Sequence, residues 1–196
     1  MKRLLLLLPL LLGVSECHGT QPGTFVSMGH SYAVGSIPSL ELQTGCNVVD
    51  AAEGARISAA VVNLLPAYEL AFPSYPGPVT VVLQIGNRDE LPYAAPPRRT
   101  VEQNVTEIVT RLTAIRPDLA VVLLRTRGDC WMTFQDRLPE LGPRFEYADL
   151  AEIEPAFEWF PAEHMADDCH PNGLGYSKRI STMLNTSALA RDGMCW

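Results

Sequence analysis

The segment Thr24-Phe25-Val26-Ser27-Met28-Gly29-His30-Ser31-Tyr32 decides how the rest of the chain is read. Thr24 to Met28 form an apolar, strand-favouring run, and Gly29-His30-Ser31 then supply the small and polar residues of a sharp turn into a helix. Comparable runs recur at Cys46 to Ala51, Val79 to Ile85 and Leu119 to Leu124, with a weaker one at Arg144 to Tyr147. Helical spacing marks Ala55 to Leu70, Val101 to Ile115, a stretch around Phe134 to Leu141, and Gly173 to Leu189. Strands that alternate with helices call for a mostly parallel sheet covered on both faces, a three-layer α/β/α sandwich. In such open sheets the working residues gather beyond the carboxyl ends of the strands, which is where Ser31 would stand.

A chain of 196 residues suits one domain. Met1-Lys2-Arg3, the apolar run Leu4 to Val14 and the small or polar stretch Ser15 to Thr20 follow the order of a secretory signal peptide. Cleavage after Cys17 or after Gly19 would each leave a small residue at the upstream recognition position. Residues 1–19 are therefore expected to be the signal and residues 20–196 the domain. Lipid anchoring would need a small residue before Cys17, and Glu16 stands there. Export places the mature chain outside the cell or in another oxidising compartment, with no stable membrane insertion after cleavage. A core of this size can stand as a monomer.

Loss of the signal takes Lys2, Arg3 and Glu16 with it, turning 15 basic and 22 acidic residues into 13 and 21, a net charge of −8. Nucleic acid is then excluded as a partner, because phosphate binding relies on clustered Lys and Arg. Four cysteines remain, Cys46, Cys130, Cys169 and Cys195, and their even number in an oxidising compartment favours disulfides. Spacing alone permits three pairings. With no CxxC pair, zinc and other metals are not expected. Asn104-Val105-Thr106 and Asn185-Thr186-Ser187 are sequons that would accept glycans in a eukaryotic host.

Two stretches carry the residue types of nucleophilic catalysis. Ser31 lies where a strand enters a helix, a place that favours developing negative charge and lets a small Gly29 turn the chain sharply. Taken alone, the triplet reads more readily as a helix-capping serine. Far along the chain, Asp167-Asp168-Cys169-His170-Pro171-Asn172 sets an Asp three residues before a His. A serine hydroxyl needs an imidazole to take its proton, and a carboxylate holds that imidazole in the required tautomer.

These stretches resemble the blocks of the SGNH, or GDSL-type, hydrolases over Phe25 to Tyr176. Gly29-His30-Ser31 is similar to the first block, Gly54 to the glycine of the second, Gly86-Asn87-Arg88-Asp89 to the third, and Asp167 to His170 with Pro171 and Gly175-Tyr176 to the fifth. The resemblance implies a flavodoxin-like sheet. It also implies Ser31 as nucleophile, His170 as general base and then acid, and Asp167 as its orienter, with Asp168 one residue too close. The oxyanion hole would be the N–H groups of Ser31 and Gly54 and the side chain of Asn87. His30 stands where the family commonly has Asp, and a structural role in the turn is expected for it. Asn87 stands one place early; a strict alignment would put Arg88 at its position.

The fold implied by the resemblance also brings Cys130 near Cys169 and Cys46 near Cys195, the two disulfides expected. His164 is expected at the surface, and Trp159 and Phe160 are candidates for an acyl pocket or for core packing. The implied activity is hydrolysis of a carboxylic ester, whether of a small molecule, a lipid or a carbohydrate, through a covalent acyl-enzyme. An acyltransferase would use the same intermediate, and a non-catalytic ligand-binding protein on this scaffold is the alternative of a different class. No metal or organic cofactor is implied.

Overall fold

The computed structural model describes residues 22–85, 100–124, 141–148, 162–167 and 170–195. The expected signal segment, residues 134–140 of the helix expected around Phe134 to Leu141, and Asn87, Arg88, Cys130, Trp159, Phe160, Asp168 and Cys169 lie outside the described residues.

Five strands, β1 (Thr24–Gly29), β2 (Asn47–Ala52), β3 (Val79–Gln84), β4 (Leu119–Leu124) and β5 (Phe145–Ala148), form one sheet in the order β2-β1-β3-β4-β5 among the described residues. Every pair is parallel. The helices are α1 (Ser31–Thr44), α2 (Ser58–Ala71), α3 (Val101–Ile115), α4 (Gly173–Thr186) and a short α5 (Ala188–Asp192).

Side chains alternate across a strand, so consecutive residues serve opposite faces. Val26 and Met28 of β1 join Val81 and Leu83 of β3 in a core with Leu65 of α2 and Ile108 of α3. On the other face Phe25, Val82 and Val122 pack with Leu40 of α1 and Ile180 and Met183 of α4. Two buried layers on one sheet make the three-layer α/β/α sandwich. None of the described helices is long and apolar enough to cross a membrane.

Three features differ from the sequence expectation, each for a local reason. Asn47 and Asp50 of β2 are exposed because β2 is an edge strand, so the run expected to be buried is only half-covered. Helix α2 starts at Ser58, since Ala55 adopts a left-handed φ of 64° and Arg56 turns back to the Ala51 carbonyl (2.6 Å). The last helical segment breaks at Ser187, whose extended backbone ends α4 while its hydroxyl accepts the Ala190 N–H to start α5 (3.0 Å). Glu146 of β5 bonds the same hydroxyl and fixes the break.

Helix α3 opens with a capping box: Thr100 accepts from the Gln103 N–H (3.2 Å) and Gln103 returns the contact to Thr100 (3.0 Å). One turn on, Asn104 is 1% exposed and donates to Ser58 Oγ at 2.8 Å. A glycan on the first sequon is therefore incompatible with the fold, whereas Asn185 of the second is exposed.

Cys46 and Cys195 form a disulfide, with Cα atoms 5.2 Å apart. It ties the end of the chain to the residue before β2 across a separation of 149 residues. Constraining so long a loop in the unfolded chain is worth about 5 kcal/mol in the chain-entropy model, at the upper end of what disulfides deliver. The double variant Cys46→Ser, Cys195→Ser should lose about 3 to 5 kcal/mol in urea unfolding. A loss under about 1 kcal/mol would show that the bridge adds little.

Candidate active site

Strand β1 passes into α1 over the end of β3. Gly29 has φ +136°, and a Cβ there would lie 1.9 Å from the Gln84 carbonyl oxygen, so only glycine fits. The same carbonyl accepts the His30 N–H (3.1 Å), and the Gly29 carbonyl accepts the Glu53 N–H at the exit of β2 (3.0 Å). The carboxyl ends of β1, β2 and β3 are thereby pinned around the first turn of α1.

The cap of that helix is His30. Its backbone is extended, the residue is 2% exposed, and Nδ1 accepts the Tyr32 N–H at 3.3 Å. The capping role open to Ser31 from sequence thus belongs to its neighbour, which leaves the Ser31 hydroxyl available at the first helical position. There the backbone N–H has no acceptor within the helix, and the dipole favours negative charge.

The second half of the site is a tight loop ahead of α4. Met165 and Pro171 form an antiparallel bridge, the Ala166 N–H donates to the His170 carbonyl (2.9 Å), and the Asn172 N–H donates to the His164 carbonyl (2.8 Å). Asn172 then caps α4 by accepting the Gly175 N–H (3.0 Å), while its Nδ2 donates to the Glu163 carbonyl (2.7 Å). A Cβ on Gly175 would meet the His164 carbonyl at 2.3 Å, so that glycine lets the helix close on the loop. His164 is half-buried and contributes its backbone carbonyl to the loop.

These two halves bring Ser31, His170 and Asp167 together. Ser31 Oγ lies 3.0 Å from His170 Nε2, and His170 Nδ1 lies 3.1 Å from Asp167 Oδ2 and 3.2 Å from Oδ1. The spacing of three residues also lets Oδ1 accept the His170 backbone N–H (2.6 Å), which orients the carboxylate. With Nδ1 donating to the carboxylate, Nε2 presents its lone pair to the hydroxyl. The Asp167 side chain is 59% exposed and that of His170 34%, so this end of the contact chain opens to solvent. Gly54 lies in the exposed turn after β2.

Beneath the site lies a buried polar cluster of which the sequence singles out Tyr176, through the fifth block, but not Arg179 or its partners. Tyr32 packs 5.8 Å from the His170 ring, 6.4 Å from Tyr176 and edge-on to His30 at 5.4 Å. Burial pushes the phenols of Tyr32 and Tyr176 up to about 12, so both stay neutral. Arg179 of α4 is fully inside the cluster, and burial pushes its guanidinium down to about 10, which still leaves it positive near neutrality. One signal was available: Tyr176, Arg179, Ile180, Met183 and Leu184 form a buried stripe at helical spacing with an arginine in it.

Neither a protein-family model nor a curated relative matches the sequence. Solved structures do match it in shape. A protein from Slackia heliotrinireducens assigned as an SGNH hydrolase shares 17% identity, with 84% of this chain and 98% of that one covered, at a TM-score of 0.59. A member of the lipolytic G-D-S-L family from Veillonella parvula shares 14% over 83% and 97%, at 0.54. The psychrotrophic esterase EstA from a Pseudoalteromonas species, in a form inhibited by monoethylphosphonate, shares 15% over 84% and 96%, at 0.50. At such identities the likeness is one of fold, and it agrees with the parallel five-stranded sheet and its two helical layers: the chain has the fold of the SGNH, or GDSL-type, hydrolases.

Proposed function

We propose that the protein is a serine hydrolase that cleaves carboxylic esters. The observation that carries this reading is the 3.0 Å contact from Ser31 Oγ to His170 Nε2, continued through Nδ1 to Asp167. His170 takes the hydroxyl proton as Ser31 attacks the ester carbonyl, then returns it to the departing alkoxide, leaving an acyl group on Ser31. Water, deprotonated by the same imidazole, releases the acid. Asp167 keeps the imidazole in the accepting tautomer and stabilises its charged form.

The developing oxyanion is assigned to the N–H groups of Ser31 and Gly54 and to the side chain of Asn87. One such donor is typically worth about 3 kcal/mol of transition-state stabilisation. Export, with residues 1–19 removed, belongs to the same proposal; the Cys46–Cys195 bridge suits an oxidising compartment.

A fluorophosphonate probe tests the reading, and the monoethylphosphonate inhibition of EstA supports the choice of chemistry. The intact chain should take one label on Ser31 and hydrolyse short p-nitrophenyl esters. Ser31→Ala should lose the label and most of the turnover. A folded protein that takes no label and cleaves no ester would instead be a ligand-binding protein on this scaffold.

A further inference from the structure

Arg179 is 2% exposed, and no step of the proposed chemistry uses it. Its guanidinium carbon lies 5.1 Å from the centroid of the Tyr32 ring, and Nη2 donates to Gln84 Oε1 at 3.4 Å. Gln84 passes the contact on: Nε2 donates to Ser36 Oγ (3.0 Å), which donates to the Tyr32 carbonyl (2.7 Å). One cation on α4 therefore holds both the ring and, through the last residue of β3, the backbone of the residue next to Ser31. The same ring stands 5.8 Å from the His170 imidazole.

Burying a guanidinium costs free energy that an apolar side chain of similar length would not. Fold stability alone would be served at least as well by a methionine in the stripe formed by Tyr176, Ile180 and Met183. The spacing of the two helices is also tightly set. A Cβ on Gly35 would lie 2.1 Å from the Tyr176 ring, so the bare backbone of α1 at Gly35 makes the room in which that ring of α4 packs. Ser31 rides on α1 and His170 on the loop that enters α4, so this junction governs the distance between them.

We propose that Arg179 is a positioning residue, which clamps the Tyr32 ring and the first turn of α1 against α4 and so keeps Ser31 Oγ within reach of His170 Nε2. The inference rests on the ester-hydrolase reading of those two residues. Proton transfer depends steeply on separation, and a misplacement of about 1 Å can cost about a hundredfold in rate.

Arg179→Met and Arg179→Lys, made in the intact chain, test it. With p-nitrophenyl acetate, kcat per probe-labelled site should fall at least about tenfold in Arg179→Met while KM stays within about twofold. Arg179→Lys keeps the charge but loses the guanidinium that reaches both the Tyr32 ring and Gln84, and its kcat should fall by about threefold or more. The NMR signals of the His170 ring nitrogens should move in both variants. A general structural role would reduce the labelled fraction and leave turnover per labelled site unchanged. Folded Arg179→Met with kcat per site within twofold of the parent overturns the proposal. If Arg179→Met does not fold, Arg179→Lys decides by the same criterion. If the parent neither labels nor turns over, the hydrolase reading fails, and unmoved His170 signals in the variants would separately overturn the positioning role.

Discussion

Replacing His170 by glutamine is expected to lower kcat/KM for a short p-nitrophenyl ester by about four to six orders of magnitude, or about 5 to 8 kcal/mol of transition-state stabilisation. Glutamine can donate a hydrogen bond to Ser31 Oγ but cannot take its proton, so the hydroxyl stays a weak nucleophile near neutral pH. Residual turnover would come from the oxyanion donors and substrate binding alone. The ring is one-third exposed, which makes folding insensitive to its loss; the urea midpoint should shift by an amount worth less than about 1 kcal/mol. Turnover within tenfold of the parent, measured on the same concentration of folded protein, would remove His170 from the mechanism.

Gly29→Ala is expected to cost about 4 kcal/mol or more of stability and to yield little soluble protein. Two effects combine at this residue. A φ of +136° is open to glycine and strained for any residue with a Cβ, and the added carbon would lie 1.9 Å from the Gln84 carbonyl oxygen and 2.6 Å from its carbon. Backbone atoms at the end of β3 cannot swing aside as a flexible side chain would. Relief would require parting β1 from β3, and with it losing the His30 N–H contact to the same carbonyl. Urea unfolding measures the loss directly. A midpoint equal to that of the parent would mean that the strand ends do not approach as described.

The fold was legible wherever burial acts on whole segments. The runs at Val79 to Ile85 and Leu119 to Leu124 sit in the middle of the sheet and have little but apolar residues, so no other placement suits them. Helix α1 was legible only at its start. Gly35, Ser36, Pro38 and Ser39 interrupt any periodic pattern, and the helix persists because Leu40 packs in the core and Ser36 and Ser39 are buried. The break at Ser187 depends on Glu146, about forty residues earlier, a contact that local spacing does not encode.

For the site, the Asp167-to-His170 spacing was readable because a three-residue offset lets one carboxylate meet both the backbone and the ring of the same histidine. The support beneath it was not. Gln84 and Ser36 look like ordinary polar residues until β3 and α1 are packed face to face, and His30 takes the cap through a ring nitrogen where sequence habit looks first to serine.

The bridge from Cys46 to Cys195 closes most of the chain into a covalent ring. A protease that severs a single peptide bond anywhere between those two positions opens the ring without releasing a fragment. Nicked and intact molecules would then share one mass, apart from the water added by cleavage, until the sulfurs are reduced.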